Sequence, residues 1–273
     1  MEVPYSSCMS NDSILKLPNP INISRSRLNS LSRDWFVTTK VDGVRYLWVE
    51  CVFAGQRFKV CIDRSRQFEI LASIDCGEEK NGIIFALDTE FVNGAFVCHD
   101  VFVWDEVPVL FRDFSRRMKF MYNLREMDGM PCCKSFFPVS QIKMVPGAEP
   151  SDGYIFVHAT NKFETGKSTT VLKWKPENLI SIDLYFDREG KAWCSCKGGK
   201  QEFSHEIGEP CLPMSEIADK VVECFLVEGR WCPQKIRTDK STPNDAHVVN
   251  ETIKSREKPV TLSALHSKCE SLL

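Results

Sequence analysis

The sequence predicts an α+β fold, in which mainly antiparallel sheets are followed by a smaller all-β part. Strand-like segments rich in β-branched and aromatic residues recur between positions 35 and 175, and two helical patterns lie among them. After Pro176 the strand-like segments shorten and turn residues separate them, a pattern typical of a small barrel. The chain has 273 residues, 43% of them hydrophobic and 26% charged, which fits one large or two modest globular domains and excludes a disordered or collagen-like class.

The predicted elements follow from local composition and periodicity. The first part contains predicted strands at 35–39, 46–53, 58–63, 82–90, 95–104, 154–158 and 170–175. Helices are predicted at 24–32 and at 113–127, where the second opens on an acidic residue and repeats apolar side chains every three to four positions. The later part contains predicted strands at 179–186, 192–196, 221–227 and 231–238, then a terminal helix at 262–272 that follows Thr261 as its cap.

Charge and cysteine content limit the classes of partner. The formal net charge is −2, so any nucleic-acid contact must come from a local basic cleft rather than from the overall field. No apolar run reaches the ~18 to 20 residues that a membrane helix needs, and the start of the chain lacks a signal-peptide pattern. Thirteen cysteines without a repeating spacing indicate free thiols in a reducing compartment. An intracellular protein without a membrane partner is therefore expected.

The most informative short motif runs from Lys40 to Arg45, with the sequence KVDGVR, between two predicted strands. A lysine in a tight turn, where Gly43 allows the backbone to bend, can present its amine to a ligand as a nucleophile. The same residue types are also common in solvated surface turns. The motif alone leaves both interpretations open.

Five further blocks follow this motif in a fixed order. They are IDR at 62–64, LDTE at 87–90, SDGYIF at 151–156, LKWKP at 172–176, and the block from 231 to 244 that matches WxxxxxRxDKxxPN. In this order the blocks resemble the covalent nucleotidyltransferase superfamily and, within it, the mRNA capping enzyme guanylyltransferases. Three details favour capping enzymes over polynucleotide ligases: the LKWKP form, the form of the last block, and the leader LPNPINISRSR at 17–27.

The resemblance implies a domain organisation. It implies a nucleotidyltransferase domain of the ATP-grasp-like kind at 1–177, followed at 178–254 by an OB-fold β-barrel that acts as a moving lid. A C-terminal helix is placed at 255–273, and whether it packs back on the nucleotidyltransferase domain is left open.

The resemblance also implies a reaction in two steps. Lys40 attacks the α-phosphate of GTP, forms a covalent enzyme-GMP and expels pyrophosphate, and the GMP then passes to a 5′-diphosphate RNA end to give GpppN-RNA. Binding of the ribose and phosphates is expected from basic side chains and one acid: Arg45, Arg64, Glu90, Lys173, Lys175, Arg237, Asp239 and Lys240. Asp152 and Glu90 are the expected ligands of the Mg²⁺ or Mn²⁺ cofactor.

Recognition of the base is implied at three positions. His99 occupies the slot of an aromatic residue that stacks on guanine, Ile155 is expected on the opposite face of the base, and Lys134 matches a lysine directed at the guanine carbonyl oxygen. A polar core position for His99 and an ordinary surface position for Lys134 stay open as alternatives. Thr89 departs from the usual pattern, because it stands where these enzymes have glycine in a DGE block.

Two other functions and several partners stay open. An ATP-dependent RNA or DNA ligase would carry AMP on the same lysine, and an inactive scaffold would bind nucleotide or RNA ends. If the chain caps RNA, an RNA triphosphatase and a cap methyltransferase must act as partners or fused domains, and association with RNA polymerase is left open. The expected location is the nucleus, or a cytoplasmic viral factory if the protein is viral.

Overall fold

The computed structural model describes residues 17–64, 66–77, 80–146 and 152–273. The described chain divides into two compact units: unit 1 contains residues 17–23, 30–174 and 266–273, and unit 2 contains residues 24–29 and 175–265. Residues 1–16 of the predicted first domain and Ser151 of the SDGYIF block lie outside the described residues. The predicted domains 1–177, 178–254 and 255–273 stay a prediction.

The described secondary structure consists mainly of strands, with few and mostly short helices. The strands are β1 Asn19–Asn22, β2 Trp35–Thr39, β3 Val44–Phe53, β4 Gln56–Ile62, β5 Phe68–Asp75, β6 Gly82–Val92, β7 Ala95–Trp104, β8 Val107–Pro108, β9 Cys132–Cys133, β10 Phe137–Pro138, β11 Tyr154–His158, β12 Lys167–Trp174, β13 Ser181–Phe186, β14 Ala192–Cys196, β15 Gly199–Glu202, β16 Lys220–Val227 and β17 Arg230–Ile236. The helices are α1 Arg25–Asn29, α2 Phe114–Asn123, α3 Met214–Ile217, α4 Ala246–Glu257 and α5 Leu262–Glu270. Short 3-10 turns occupy Leu124–Glu126, Val139–Met144 and Glu177–Leu179.

Unit 1 contains two sheets. A five-stranded sheet has the order β1-β12-β11-β2-β10, and a seven-stranded sheet has the order β5-β4-β3-β6-β7-β8 with β9 paired to β7. The pairs β1–β12 and β7–β9 are parallel, whereas the other pairs in these two sheets are antiparallel. Strands β3, β6, β7, β11 and β12 carry five of the candidate residues of this unit, while Lys40, Lys134 and Asp152 lie next to the ends of β2, β9 and β11.

The main core of unit 1 joins both sheets and helix α2. Phe114 and Met121 on α2 are buried in it with Leu87 and Val101 of the larger sheet, while Val157 enters from the smaller sheet. Burial of each such side chain contributes roughly 1.5–3 kcal/mol relative to exposure. This shared core fixes the two sheets of unit 1 against each other.

Unit 2 is built on one antiparallel sheet in the order β15-β14-β13-β16-β17. Its core contains Ile182, Leu184, Val222 and Trp231, and Val249 of α4 is buried in the same cluster. Within the described residues β15 and β17 do not pair with each other, so the expected barrel is an open sheet here. Strand β15 is only four residues long and fully exposed, which leaves few backbone groups for closure.

The predicted fold class is confirmed, because the structure is α+β with mainly antiparallel sheets. Four predicted strands, at 35–39, 95–104, 154–158 and 192–196, have the same bounds in the structure, and Ala264 N donates to the cap Thr261 Oγ1 at 3.2 Å. Strand β5 and helix α4 were not predicted. No helix among the described residues is long and apolar enough to cross a membrane.

Candidate active site

Lys40 lies immediately after β2, where the strand leaves the smaller sheet of unit 1. Its backbone N donates to Gly153 O at 2.8 Å, so the pairing of β2 with β11 extends to this residue. The Lys40 ammonium contacts Oδ2 of Asp152, and both side chains are largely buried. The structure therefore brings the KVDGVR and SDGYIF blocks together, with a carboxylate against the candidate nucleophile.

The turn after Lys40 approaches β6 so closely that only glycine fits at position 43. A Cβ atom on Gly43 would lie 2.4 Å from Phe91 O and 2.9 Å from Glu90 Cγ. The Gly43 backbone N also donates to Glu90 Oε1 at 3.0 Å. Glycine is therefore required because there is no room for a side chain beside β6. The sequence had indicated a different reason, the bending of the turn.

Glu90 connects this turn to β7. Its Oε2 lies 3.2 Å from His99 Nε2, while its Oε1 accepts from the Gly43 N–H. Burial acts to raise the pKa of Glu90, but His99, Lys134 and the Gly43 N–H outweigh it and lower the pKa to about 2. Glu90 is thus an ionised carboxylate at neutral pH.

His99 owes its direction to an irregularity in the pairing of β6 with β7. Asp88 pairs with Asp100 and Thr89 pairs with Cys98, so His99 is an extra residue between the two pairs. Such a bulge redirects a side chain and is frequent near active sites. Burial, and then the nearby Lys134, lower the pKa of His99, which favours the neutral imidazole.

Lys134 is a buried lysine, with 5% of its surface exposed. Its Nζ donates to Thr39 O at 2.8 Å, the carbonyl directly before Lys40. Burial lowers the pKa of Lys134 to about 8, with Glu90 opposing and Lys40 adding to this change. Lys134 is therefore not the ordinary surface lysine that the sequence had left open as an alternative. Its side chain is a second amine near Lys40.

Arg45 on β3 is held by Asp88 on the adjacent strand β6. Arg45 Nε donates to Asp88 Oδ1 at 2.7 Å, Nη2 contacts Oδ2, and Nη1 donates to Pro18 O at 2.7 Å. Burial acts to lower the pKa of Arg45, but Asp88 outweighs it and raises the pKa. Sequence reasoning missed Asp88 as a partner, although it is the first acid of the LDTE block.

Ile155 and Lys173 lie side by side on one face of the smaller sheet. Ile155 on β11 pairs with Thr38 of β2 on one side and with Lys173 of β12 on the other, so the three side chains point to the same face. Ile155 is partly buried against the main core. Arg64 differs from these residues, because it is exposed in the turn after β4.

The remaining predicted residues lie in unit 2, where Arg237, Asp239 and Lys240 cluster around Asp183 on β13. Arg237 Nη1 donates to Asp183 Oδ1 at 2.9 Å, Lys240 contacts Asp183 Oδ2, and Arg237 also holds Asp239 through two hydrogen bonds of 2.8 Å. The Arg237 hydrogen bond lowers the pKa of Asp239 to about 2. Lys175 Nζ donates to Leu179 O at 3.5 Å.

Sequence reasoning missed Asp183, although a signal for it was present. It is the single charged residue in the mostly apolar predicted strand 179–186, and only 4% of its surface is exposed. A buried carboxylate requires charged or hydrogen-bonding partners, which points to a basic residue nearby.

The two expected cation ligands, Asp152 and Glu90, are compatible with a metal ion whose other ligands come mainly from the substrate. Among the described residues no group of three or more His, Cys, Asp or Glu side chains could hold a metal ion. Asp152 contacts Lys40, and both Glu90 oxygens face Gly43 and His99. Mg²⁺ is commonly bound through one or two carboxylates, with phosphates and water as its other ligands, so this pair of acids is compatible with a cation that arrives with a nucleotide.

Comparisons with known proteins agree with the ordered blocks. The sequence model of the family "mRNA capping enzyme, C-terminal domain" matches residues 158–266. The mRNA-capping enzyme of Caenorhabditis elegans is 25% identical over 299 residues, which cover 89% of this chain and 46% of that protein. The mRNA-capping enzyme of Danio rerio is 24% identical over 293 residues, which cover 90% of this chain and 48% of that protein.

This chain is similar to the mRNA capping enzymes. The resemblance inferred from the sequence is thereby confirmed. The chain spans about half the length of the curated relatives it matches. Among solved structures, a mycobacterial DNA ligase D complexed with ATP and MES matches at 13% identity with a TM-score of 0.46, covering 83% of this chain and 96% of that one.

Proposed function

We propose that the protein is a GTP-dependent RNA 5′-guanylyltransferase. The observation that carries this proposal is the placement of the Lys40 amine against Asp152, with buried Lys134 bonded to the carbonyl before it. The match to capping enzymes supports the choice of GMP as the transferred group and of RNA as the acceptor.

In the first step Lys40 Nζ attacks the α-phosphorus of GTP. A P–N bond forms, the bond between the α-phosphorus and its bridging oxygen breaks, and pyrophosphate leaves. The Lys40 ammonium must first lose a proton, and the Asp152 carboxylate in contact with it is the nearest acceptor in the described site. In the second step an oxygen of the RNA 5′-diphosphate attacks the same phosphorus and releases Lys40.

The other candidate residues receive proposed roles in binding. Lys134, Ile155 and His99 bind guanine, and the ribose and phosphates contact Arg45, Arg64, Glu90, Lys173, Lys175, Arg237, Asp239 and Lys240. Buried Lys134 is compatible with binding the guanine carbonyl oxygen, because a preorganised charge in a site that excludes water interacts with a polar group more strongly than an exposed one does. The ionised Glu90 carboxylate is compatible with accepting hydrogen bonds from ribose hydroxyls.

A divalent cation, Mg²⁺ or Mn²⁺, would neutralise phosphate charge during the transfer. Asp152 and Glu90 are the residues that would hold it. The proposed partners are an RNA 5′-diphosphate end, and an RNA triphosphatase and a cap methyltransferase on other chains or fused domains. The proposed location is intracellular, in the nucleus or in a viral factory.

Covalent labelling tests the proposal. The chain is incubated with α-labelled GTP or ATP and Mg²⁺ or Mn²⁺, and the protein is then separated under denaturing conditions. We expect a label from GTP that pyrophosphate reverses, that Lys40→Ala abolishes and that Lys119→Ala, a change on the exposed face of α2, leaves intact. Label from ATP alone would assign a ligase, and no label from either nucleotide would favour the scaffold.

A further inference from the structure

Two cysteines lie opposite each other where β7 pairs with β9. The strands run parallel, with Cys98 opposite Cys133 and Val97 opposite Cys132. Lys134 N donates to Cys98 O at 3.1 Å, which fixes this register. Cys98 is fully buried and Cys133 is partly buried. Cys98 Sγ donates to Asp100 O at 3.3 Å, and Cys133 Sγ donates to Met121 O at 2.8 Å.

The spacing of this pair suits a disulfide. Neighbouring strands lie about 4.8 Å apart, and the two Cα atoms of a disulfide lie about 4.4–6.8 Å apart. A bond between Cys98 and Cys133 therefore requires rotation of the side chains but little movement of either strand. Both cysteines are free thiols in this structure.

The two thiols differ in reactivity. The neighbouring Cys98 thiol and the positive charge of Arg125 lower the pKa of Cys133, while burial raises the pKa of Cys98. The thiolate is the form that oxidants attack, so Cys133 reacts first and Cys98 is positioned to respond. Cys133 is also the more accessible of the two.

We propose that Cys98 and Cys133 form an oxidisable thiol pair that hydrogen peroxide converts into a disulfide. The Cys133 thiolate attacks peroxide, the O–O bond breaks, and a sulfenic acid and hydroxide result. The Cys98 thiol then attacks the Cys133 sulfur, so that an S–S bond forms, the S–O bond breaks and water leaves. Two thiols are oxidised by two electrons in total, and one peroxide is reduced to water.

The pair directly precedes two residues of the candidate active site, His99 and Lys134. Both side chains depend on the present arrangement of the strands, since His99 lies 3.2 Å from Glu90 and Lys134 donates to Thr39 O at 2.8 Å. A bond between the two preceding residues displaces both side chains slightly, by the small strand movement that closure of the S–S bond requires. Resting on the proposed function, we infer that oxidation slows the formation of enzyme-GMP and that a thiol reductant restores it.

Peptide mapping of the complete chain tests the thiol pair without any reference to activity. The reduced protein is treated with hydrogen peroxide, its remaining thiols are alkylated with N-ethylmaleimide, and it is digested with trypsin without reduction. Cys98 lies in the tryptic peptide 81–112, and Cys132 and Cys133 lie in the peptide 126–134. We expect these two peptides to be linked.

Two matched variants show which of the adjacent cysteines, Cys132 or Cys133, is bonded to Cys98. Cys132→Ser, which changes the exposed neighbour opposite Val97, is expected to keep the link, whereas Cys133→Ser is expected to lose it. A link that persists in Cys133→Ser, or peptides that are alkylated at Cys98 and Cys133 after peroxide, would overturn the proposal.

The effect on function is measured separately by labelling with GTP. We expect the linked form to be labelled about tenfold less, since small displacements of positioning groups lower reaction rates by such factors. Dithiothreitol should restore normal labelling, and peroxide should not lower the labelling of Cys133→Ser. A linked form that labels at the normal rate would overturn the coupling to the active site. If the reduced protein is not labelled at all, the proposed function fails, while the mapping still decides the thiol pair.

Discussion

Replacing Asp183 by asparagine removes the negative charge at the centre of the unit 2 cluster. Asp183 is almost fully buried, accepts from Arg237 at 2.9 Å and contacts Lys240, and its backbone N donates to Asn244 Oδ1 at 2.9 Å. Asparagine keeps the size of the side chain, so no cavity forms. The variant thus measures the buried charge rather than packing.

The expected loss follows from the partners that remain. Removing one member of a buried ion pair costs about 3–5 kcal/mol, because the other member is left buried without compensation. Arg237 keeps two hydrogen bonds to Asp239, so the low end, about 3 kcal/mol, applies. For a unit of roughly 100 residues each kcal/mol corresponds to about 4–8 °C in Tm, which gives a decrease of about 12 °C or more.

Differential scanning calorimetry of the whole chain checks this value, with Asp219→Asn as the matched control. Asp219 accepts from Arg188 at 2.6 Å in the same unit, but the Arg188 side chain is 86% exposed. Exposed ion pairs contribute little, so we expect no measurable shift in the control. Equal shifts in the two variants would refute the argument that burial makes the Asp183 cluster important.

Three further predictions concern unit 1. Gly43→Ala should abolish labelling at Lys40, because its Cβ would lie 2.4 Å from Phe91 O, whereas Gly82→Ala, with open space around it, should label normally. Lys134 binds fewer protons in the folded than in the unfolded chain between pH 8 and 10.5, so urea-unfolding stability should rise by about 3 kcal/mol across this window, and Lys134→Met should lack this rise. The lowered pKa of Glu90 contributes stability above pH 4.5 that is lost as the pH falls towards 2, so urea midpoints measured between pH 7 and 3 should fall less in Glu90→Gln.

The strands that sequence predicted best are those with a regular apolar pattern on a buried face, such as β2 and β11. Strand β5 escaped prediction because all its residues are exposed and it is held by backbone pairing with β4, which includes a bulge. Helix α4 escaped because its sequence, AHVVNETIKSRE, has only a weak apolar stripe. Burial of Val249 in the unit 2 core stabilises this helix, and composition does not reveal such a contact.

In the candidate site, too, the sequence predicted residues that belong to local motifs but not the contacts between residues that are far apart in the chain. The order of the blocks predicted residue types at Lys40, Glu90 and Asp152, and the structure places the last of these against the first. Asp183 could be singled out as an acid in a predicted strand, but neither Asp88 nor Asp183 could be assigned a partner, because the sequence alone does not show which cation lies beside a buried acid. Their cations lie far along the chain in one case, at Arg237, and on the adjacent strand in the other, at Arg45.

The two departures from the capping pattern, Thr89 and His99, are structurally linked. Thr89 is fully buried, its Oγ1 donates to Tyr46 O at 3.1 Å, and it pairs with Cys98. The bulge begins at this pair, and His99 is the residue that it adds. A side chain at position 89 therefore occupies the strand face that glycine would leave empty, next to the irregularity that turns His99 towards Glu90. Because both changes lie in one bulge, a change at either position alters the surroundings of the other.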